Sequence, residues 1–149
     1  ETGLVLAIGQ QGDRLVTVSD TCLVLADQDG EELSRYDYSN SYLREYALEG
    51  DGFTALLLNR YKSGSVGRLV TVDDQGEEIA SLEVRDEILS ISAAGRYLGV
   101  LYLDRLVIYN EDLQEYAALN GISYARSVLM RQDGTALLAG SQEAELFLP

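Results

Sequence analysis

Apolar and polar residues alternate along most of this 149-residue chain, in short runs that polar turns separate. A period of two places every second side chain on the same face of a β-strand. β-Branched residues are frequent in these runs, and no segment keeps for long the apolar spacing of three and four that an amphipathic helix requires. The pattern therefore predicts an all-β protein.

One polar turn followed by a short apolar strand occurs three times. "DQDGEELSRY" at 27–36 is closely similar to "DDQGEEIASL" at 73–82, and "NEDLQEYAAL" at 110–119 is a looser copy. Gly, Asp and Asn are the residues that tolerate the positive φ of tight hairpins. We interpret the three segments as the same hairpin, built once in each unit of a repeat.

Four glycines, each followed by a similar apolar run, define the length of that unit. Gly12, Gly52, Gly95 and Gly134 are separated by 40, 43 and 39 residues. The residues four positions before them are Ile8, Leu48, Ile91 and Met130, and those six positions before are Leu6, Tyr46, Leu89 and Val128. Apolar residues two apart, repeated in step, indicate the inward face of a strand.

A four-stranded unit that recurs at about 40 residues is typical of β-propeller blades. Sandwiches and up-and-down barrels also use many short strands, but they do not require likeness between units. We predict a single domain over 1–149, a partial or half β-propeller of about four blades. Each blade is a four-stranded antiparallel sheet, and the last lacks its outer strand. The predicted blades are approximately 1–38, 39–84, 85–120 and 121–149.

The segment "SISAAGRYLGVLYLDRLVIYNEDLQE" (90–115) resembles the blades of bacterial WD40-like and YVTN-like propellers. In these blades a turn with Gly precedes an apolar strand, and a polar turn leads to a strand that ends near Tyr and Asp or Asn. The chain is most similar to a family of bacterial propellers of unknown function that lie outside the membrane behind an N-terminal anchor. The resemblance implies an extracytoplasmic or cell-surface location. The Trp residues of eukaryotic WD40 repeats are absent.

Blades pack face to face, so an open arc leaves one apolar face bare at each end. Three arrangements remove or tolerate these faces. In the first, the chain is half of a larger ring. In the second, two copies close an eight-bladed ring as a homodimer. In the third, a four-bladed ring closes without its last outer strand. We favour the first two. The chain has no initiator Met and ends on "ELFLP", which leads us to expect that both ends come from a longer protein.

Charge and residue content exclude several functions. The net charge of −14 (25 acidic, 11 basic residues) disfavours nucleic acid as a partner and direct membrane contact by this segment. There is no His, which excludes Ser-His-Asp and Cys-His catalytic sites and His-based metal sites. Cys22, the single cysteine, is predicted to be a small buried side chain. We assign no catalytic residue, metal site or cofactor.

Tyrosine is the residue most suggestive of a binding surface. The chain has ten tyrosines and two phenylalanines, so most of its aromatic rings have a polar hydroxyl group. Such rings suit contact surfaces. Tyr38 and Tyr42, in the predicted connection between the first two blades, are candidate binding residues, because Tyr46 is predicted to face the core. Tyr61, in the loop "NRYKSGSVGR" with Lys62, is the third. Such rings could stack on a sugar or grip a peptide.

The favoured function is a non-catalytic scaffold that binds a protein, peptide or glycan. The alternative is an enzyme fragment, a carboxylate-based glycosidase or lyase whose site needs missing blades. Two carboxyl groups about 5 Å or about 6.5–9.5 Å apart would be required for glycoside hydrolysis. The acidic residues lie mostly in predicted hairpins, where Asp and Glu are expected in any case.

Overall fold

The protein is a four-bladed partial β-propeller. A computed structural model describes residues 3–149, so Glu1 and Thr2 of the first predicted blade lie outside the described residues. These residues form fifteen strands in four antiparallel sheets and contain no α-helix, hence none that could cross a lipid bilayer. The predicted fold class is confirmed, including a last sheet of three strands.

Each sheet is one blade, in which strands that follow each other in sequence are neighbours. Blade 1 contains β1 (Val5–Gln11), β2 (Arg14–Ser19), β3 (Cys22–Ala26) and β4 (Glu32–Asp37). Blade 2 contains β5 (Tyr42–Ala47), β6 (Phe53–Asn59), β7 (Gly67–Asp73) and β8 (Glu78–Val84). Blade 3 contains β9 (Ile88–Ala94), β10 (Tyr97–Tyr102), β11 (Arg105–Asn110) and β12 (Glu115–Asn120). Blade 4 contains β13 (Ser127–Met130), β14 (Ala136–Ala139) and β15 (Ala144–Phe147).

The three copies of the polar turn form the same hairpin between the third and fourth strands of blades 1, 2 and 3. Its first residue is Asp27, Asp73 or Asn110, and the side-chain Oδ1 accepts hydrogen bonds from the amides two and four residues later. All six distances lie between 2.9 and 3.0 Å. A short side chain that binds its own backbone in this way fixes the turn locally. This explains the repetition in the sequence.

The hairpins between the first and second strands are of two kinds. In blades 1 and 3, Gly12 and Gly95 begin two-residue turns, and both have φ of 59°. In blades 2 and 4, Gly52 and Gly134 lie in connections of seven and five residues between the paired positions, with φ of 77° and 90°. The four glycines therefore do not mark one common turn, although the residues four positions before Gly52, Gly95 and Gly134 are all buried, as the predicted register requires. Blades 1 and 3 thus share the short turn, whereas blades 2 and 4 have longer connections.

Three apolar clusters hold the blades together, one between each pair of neighbours. All seven residues of β6 are buried, and so are five of the six in β10, because the sheets of blades 2 and 3 are covered on both faces. Burial of each large apolar side chain contributes about 1.5–3 kcal/mol. Cys22 is buried, as predicted.

Gln11, at the end of β1, connects blade 1 to the backbone of blade 2. Its side-chain Nε2 donates to the carbonyl oxygens of Leu48 and Phe53 at 2.8 and 2.9 Å. Its Oε1 accepts from the amide of Gly52 at 3.0 Å. The side chain of Gln11 is buried. Its amide group supplies the hydrogen bonds that water would otherwise form with these three backbone groups.

Blades 3 and 4 are joined by a different set of polar contacts. The hydroxyl oxygens of Ser90 and Ser92, on β9, accept hydrogen bonds from the amides of Val128 and Met130 at 3.3 and 2.9 Å. These two amides belong to β13, the strand of blade 4 that lies next to β9. Side chains of the inner strand therefore fix the position of the next blade.

Blades 1 and 4 do not pack on each other within residues 3–149. Of the four equivalent residues before the repeat glycines, Leu48, Ile91 and Met130 are 9%, 8% and 4% exposed, whereas Ile8 is 72% exposed. Each of the first three packs against the preceding blade, and Ile8 has no preceding blade. The self-closed four-bladed ring, one of the three expected arrangements, is therefore wrong for the single chain.

We expect Gln11→Ala to lower the free energy of unfolding by about 2–3 kcal/mol, because buried backbone groups of blade 2 lose their partner. The measurement is urea denaturation followed by far-UV circular dichroism. Gln10→Ala, next to it on the exposed side of β1, is the matched control and should change stability by less than about 0.5 kcal/mol. Equal effects of the two substitutions would contradict this account of Gln11.

Candidate interaction surface

The connections between blades and those between second and third strands lie at the same end of the protein, because each blade is an antiparallel meander. We call this the loop end. It carries the connection 38–41 between blades 1 and 2 and the loop 60–66 between β6 and β7. A cleft of about 580 Å³ lies here, and we call it the Tyr42 cleft. Residues that line it include Asp20, Asp37, Asn40, Ser41, Tyr42 and Lys62.

The backbone of the first connection has an unusual conformation. Ser39 and Asn40 have φ of 56° and 67°, in the left-handed region that residues other than Gly seldom adopt. The amide of Ser39 donates to Asp37 Oδ1 at 2.7 Å, and the amide of Ser41 donates to the carbonyl of Tyr38 at 3.1 Å. Two consecutive left-handed residues form a tight turn, which presents Asn40 and Ser41 to the Tyr42 cleft.

Tyr38 is a structural residue. Its side chain is 1% exposed, in the cluster between blades 1 and 2. Its hydroxyl donates to the carbonyl oxygen of Ser19 at 3.0 Å, and burial raises the pKa of this hydroxyl above its ordinary value. The expectation that Tyr38 is available to a ligand is therefore wrong, because the fold uses both its ring and its hydroxyl.

Tyr42 and Tyr61 are both exposed at the loop end. Tyr42 lines the cleft together with Lys62, which follows Tyr61 in the chain. Tyr61 lies in the same loop but outside the cleft lining. The structure thus brings one of the predicted tyrosines together with the single lysine, and the role of Tyr42 and Tyr61 in binding stays a prediction.

A second cleft at the loop end contains residues that sequence reasoning did not identify. It has a volume of about 270 Å³ and lies between blades 2 and 3, with Arg44, Asn59 and Asp86 in its lining. Asp86 also forms an ion pair of 3.1 Å with Arg105, whose guanidinium lies 4.0 Å from the centre of the Tyr102 ring. The signal in the sequence was that Asp86 and Arg105 stand at or next to strand ends that lie at the loop end.

The carboxyl group of Glu45 lies in a partly buried environment. Glu45 belongs to β5, and burial raises the pKa of its carboxyl group, while the charge of Arg44 acts in the opposite direction. A glycosidase requires a second carboxyl group in a defined position. Residues 3–149 contain no group of three or more Asp, Glu or Cys side chains arranged to hold a metal ion.

No protein-family model matches the chain, and no curated protein matches it. Among solved structures, the chain is similar to BamB from Moraxella catarrhalis with a TM-score of 0.64 at 12% identity, over 94% of this chain and 41% of that one. It is similar to the WD40 repeats of RRP9 with a TM-score of 0.68 at 10% identity, over 99% of this chain and 52% of that one.

The WD40 domain of Neurospora crassa Pan2 gives a TM-score of 0.59 at 11% identity, over 95% of this chain and 46% of that one. Identities this low show a shared fold and nothing of shared activity. The chain spans about half the length of these propellers. It therefore has the fold of a WD40-type β-propeller over an arc of four blades.

We expect Tyr38→Phe to lower the free energy of unfolding by about 1 kcal/mol, because the buried Ser19 carbonyl loses a hydrogen-bond donor. Tyr42→Phe is the matched control, since its exposed hydroxyl can bind water instead, and stability should not change. Thermal and urea unfolding of both variants measure the difference. A Tyr38→Phe variant as stable as the parent would show that the hydroxyl is dispensable.

Glu45→Gln should stabilise the protein at neutral pH, because the half-buried site disfavours the charged carboxylate. The folded-state pKa of Glu45 is raised above its ordinary 4.5, so the stability due to its protonated form is complete below pH 4.5 and is lost as pH rises through the folded-state pKa. The Tm difference between variant and parent should grow over this interval. Glu49→Gln, at an exposed position, is the control. No difference at neutral pH would contradict the prediction.

Proposed function

We propose that this chain is a non-catalytic propeller module that binds a protein, peptide or glycan partner at the Tyr42 cleft. The observation that carries the proposal is the presence of Tyr42 and Lys62 in one cleft at the loop end. Loops held by a rigid scaffold are where binding residues concentrate. Blades 1 and 2 supply that scaffold, since the strands on either side of the cleft belong to one buried cluster.

The chemistry of the cleft suits a polar ligand with an apolar face. The ring of Tyr42 offers a flat surface for stacking, and its hydroxyl can donate or accept a hydrogen bond. Lys62 is the only lysine of a chain with net charge −14, so it is a local donor in an acidic surrounding. Asp20 and Asp37 also line the cleft and add carboxylate acceptors. Sugars and peptide backbones present the complementary mixture of donors, acceptors and apolar surface.

We also propose that the protein acts outside the cytoplasm, as part of the membrane-anchored bacterial propeller family that its repeats resemble. The support is the resemblance of residues 90–115 to the blades of that family. Protease treatment of intact cells that make the protein tests this location. Cleavage of the propeller supports it, and complete protection until lysis contradicts it.

The alternative, a carboxylate-based glycosidase or lyase, is supported only by the raised pKa of Glu45. One such carboxyl group does not complete the pair that glycoside hydrolysis uses. The two functions differ in what happens to a bound glycan, since a binding module releases it unchanged whereas a glycosidase or lyase cleaves it. Release of reducing ends from an oligosaccharide panel, lost in Glu45→Gln, would favour the enzyme.

The binding function predicts that Tyr42→Ala weakens ligand binding about tenfold or more, because it removes the stacking surface of the cleft. Tyr61→Ala should have a smaller effect, since Tyr61 lies outside the cleft lining. The probes are an immobilised glycan panel and a peptide library, followed by calorimetry with the best binder.

Tyr116→Ala is the matched control. Tyr116 is an exposed tyrosine near the beginning of β12, at the opposite end of blade 3, so its removal should leave binding unchanged. Equal losses for Tyr42→Ala and Tyr116→Ala would overturn the proposed site, as would a chain that binds neither probe set.

A further inference from the structure

Blade 2 departs from the repeat at the loop end. The connection between the second and third strands has seven residues in blade 2 (60–66), two in blades 1 and 3 (20–21 and 103–104) and four in blade 4 (140–143). The hairpin of β6 and β7 has seven paired positions, against four and five in blades 1 and 3, and it ends on the pair of Asn59 and Gly67. In repeat proteins, insertions in single units lie on one face, which is often the binding face.

A β-bulge near the loop end recurs in the first strands of blades 1, 2 and 3. Its extra residue is Leu6 in blade 1, Arg44 in blade 2 and Leu89 in blade 3. Bulges redirect a side chain, and Leu89 packs against the apolar cluster between blades 3 and 4. Arg44 has the equivalent position in blade 2 and lines the cleft between blades 2 and 3. Blade 2 thus has a cation where the two neighbouring blades have a leucine.

The features that are specific to blade 2 meet in this cleft, which we call the Asn59 cleft. Its polar lining consists of Arg44 from the bulge, Asn59 from the end of β6, Gly64 and Ser65 from the seven-residue loop, and Asp86 and Glu87 from the connection to blade 3. Blades 1 and 3 form without an arginine at the bulge and without the long loop. The fold of a blade therefore does not account for these residues, which makes the cleft a candidate binding site.

Asn59 has an unused hydrogen-bond acceptor that opens to the cleft. The residue is only 5% exposed, and its Nδ2 donates to the carbonyl oxygen of Gly64 at 3.1 Å. This bond fixes the orientation of the amide, because only the nitrogen can donate. Its Oδ1 accepts no hydrogen bond within residues 3–149, where no fully buried side-chain oxygen lacks a partner. Oδ1 is therefore reached through the cleft, where a ligand with an N–H or O–H group can satisfy it.

The Asn59 cleft also contains two charges of opposite sign without a partner. Neither Arg44 nor Glu87 takes part in an ion pair within residues 3–149. Asp86, by contrast, is paired with Arg105 at 3.1 Å. The protein thus leaves one guanidinium and one carboxylate available to a bound molecule. A ligand with one anionic and one cationic group can form charge-assisted hydrogen bonds with both.

The rest of the lining is apolar, and the cleft is small. Leu57, Val84 and Ile88 complete the lining and are 3%, 4% and 5% exposed. The volume of about 270 Å³ lies just below the range of about 300–1,000 Å³ that is usual for drug-sized ligands. The cleft therefore suits a molecule of the size of a single amino acid, with an apolar part that contacts these three side chains.

We propose that the Asn59 cleft binds a free α-amino acid with an apolar side chain. The ammonium group of the ligand donates to Asn59 Oδ1 and Glu87, its carboxylate accepts from Arg44, and its side chain packs on the apolar lining. A neutral sugar would leave both charges unpaired, and a simple anion would leave Glu87 and Asn59 Oδ1 without a partner. The site is separate from the Tyr42 cleft, so this inference does not depend on the function proposed for that cleft.

Titration of the 149-residue chain with L-leucine, L-valine and L-phenylalanine tests the proposal, by calorimetry and by NMR of the backbone amides. We expect saturable binding, with the largest chemical-shift changes at residues 59–65 and 84–88. The N-acetyl and the carboxamide derivatives of the tightest binder each lack one of the two charges, so each should bind about tenfold more weakly or worse. The proposal would be overturned if no amino acid bound at millimolar concentration, if either derivative bound equally well, or if the shift changes lay at the Tyr42 cleft.

Substitutions of the two charged residues test the contacts themselves. Arg44→Leu gives blade 2 the residue that blades 1 and 3 have at the bulge, so the fold should be retained, as far-UV circular dichroism can check. We expect Arg44→Leu and Glu87→Gln each to raise the dissociation constant of the amino acid about tenfold or more, because each removes the partner of one ligand charge.

Arg85→Leu and Glu83→Gln are the matched controls. They remove the same charges from exposed residues that lie near the cleft but outside its lining, so the affinity should not change. Unchanged affinity in Arg44→Leu or Glu87→Gln, or an equal loss in the two controls, would overturn the proposed site.

Discussion

Coverage of both faces of each interior sheet by its neighbours is the constraint on which this structure depends. An isolated blade of four short strands has too little core to be stable, because nothing would cover the apolar side chains on either face of its sheet. In the protein, β6 has every residue buried because blades 1 and 3 lie on either side of it. Ile8 is exposed, since no other blade within residues 3–149 covers that face of blade 1.

Polar contacts give these apolar junctions their register. Gln11 fixes blade 1 to blade 2, and Ser90 and Ser92 fix blade 3 to blade 4, through backbone groups in each case. Apolar packing alone is not directional, whereas a buried amide or hydroxyl must meet its partners. The connections at the loop end, including the strained turn at Ser39 and Asn40, are held on blades that these contacts have already positioned.

Local patterns were sufficient to predict the strands and the propeller class. They did not resolve on which face of its sheet each side chain lies, because a glycine in a two-residue turn cannot be distinguished in the sequence from a glycine in a longer connection. Gly12 and Gly52 differ in this way, so residues at equal distances after them point to opposite sides. Tyr38 is a second case. Tyr38 follows Tyr36 by two positions, so a strand would place both side chains on the same face. Because the ring of Tyr36 packs on the cluster between blades 1 and 2, this alternation would have predicted that Tyr38 is buried.

Of the candidate site, the sequence indicated Tyr42 and the loop of Lys62, but not that they line one cleft, which depends on how blades 1 and 2 pack. The sequence also left ring closure open, because closure depends on the shape of two distant faces.

Hydrogen–deuterium exchange of the backbone amides, at a protein concentration low enough to leave the end faces uncovered, tests the central claim most directly. If coverage of both faces holds the fold together, the amides of β6 and β10 should exchange more slowly than those of β2 and β14, which are equally central in their sheets but belong to the end blades. Equal exchange in these four strands would show that the blades are stable independently of their neighbours, and would contradict the account.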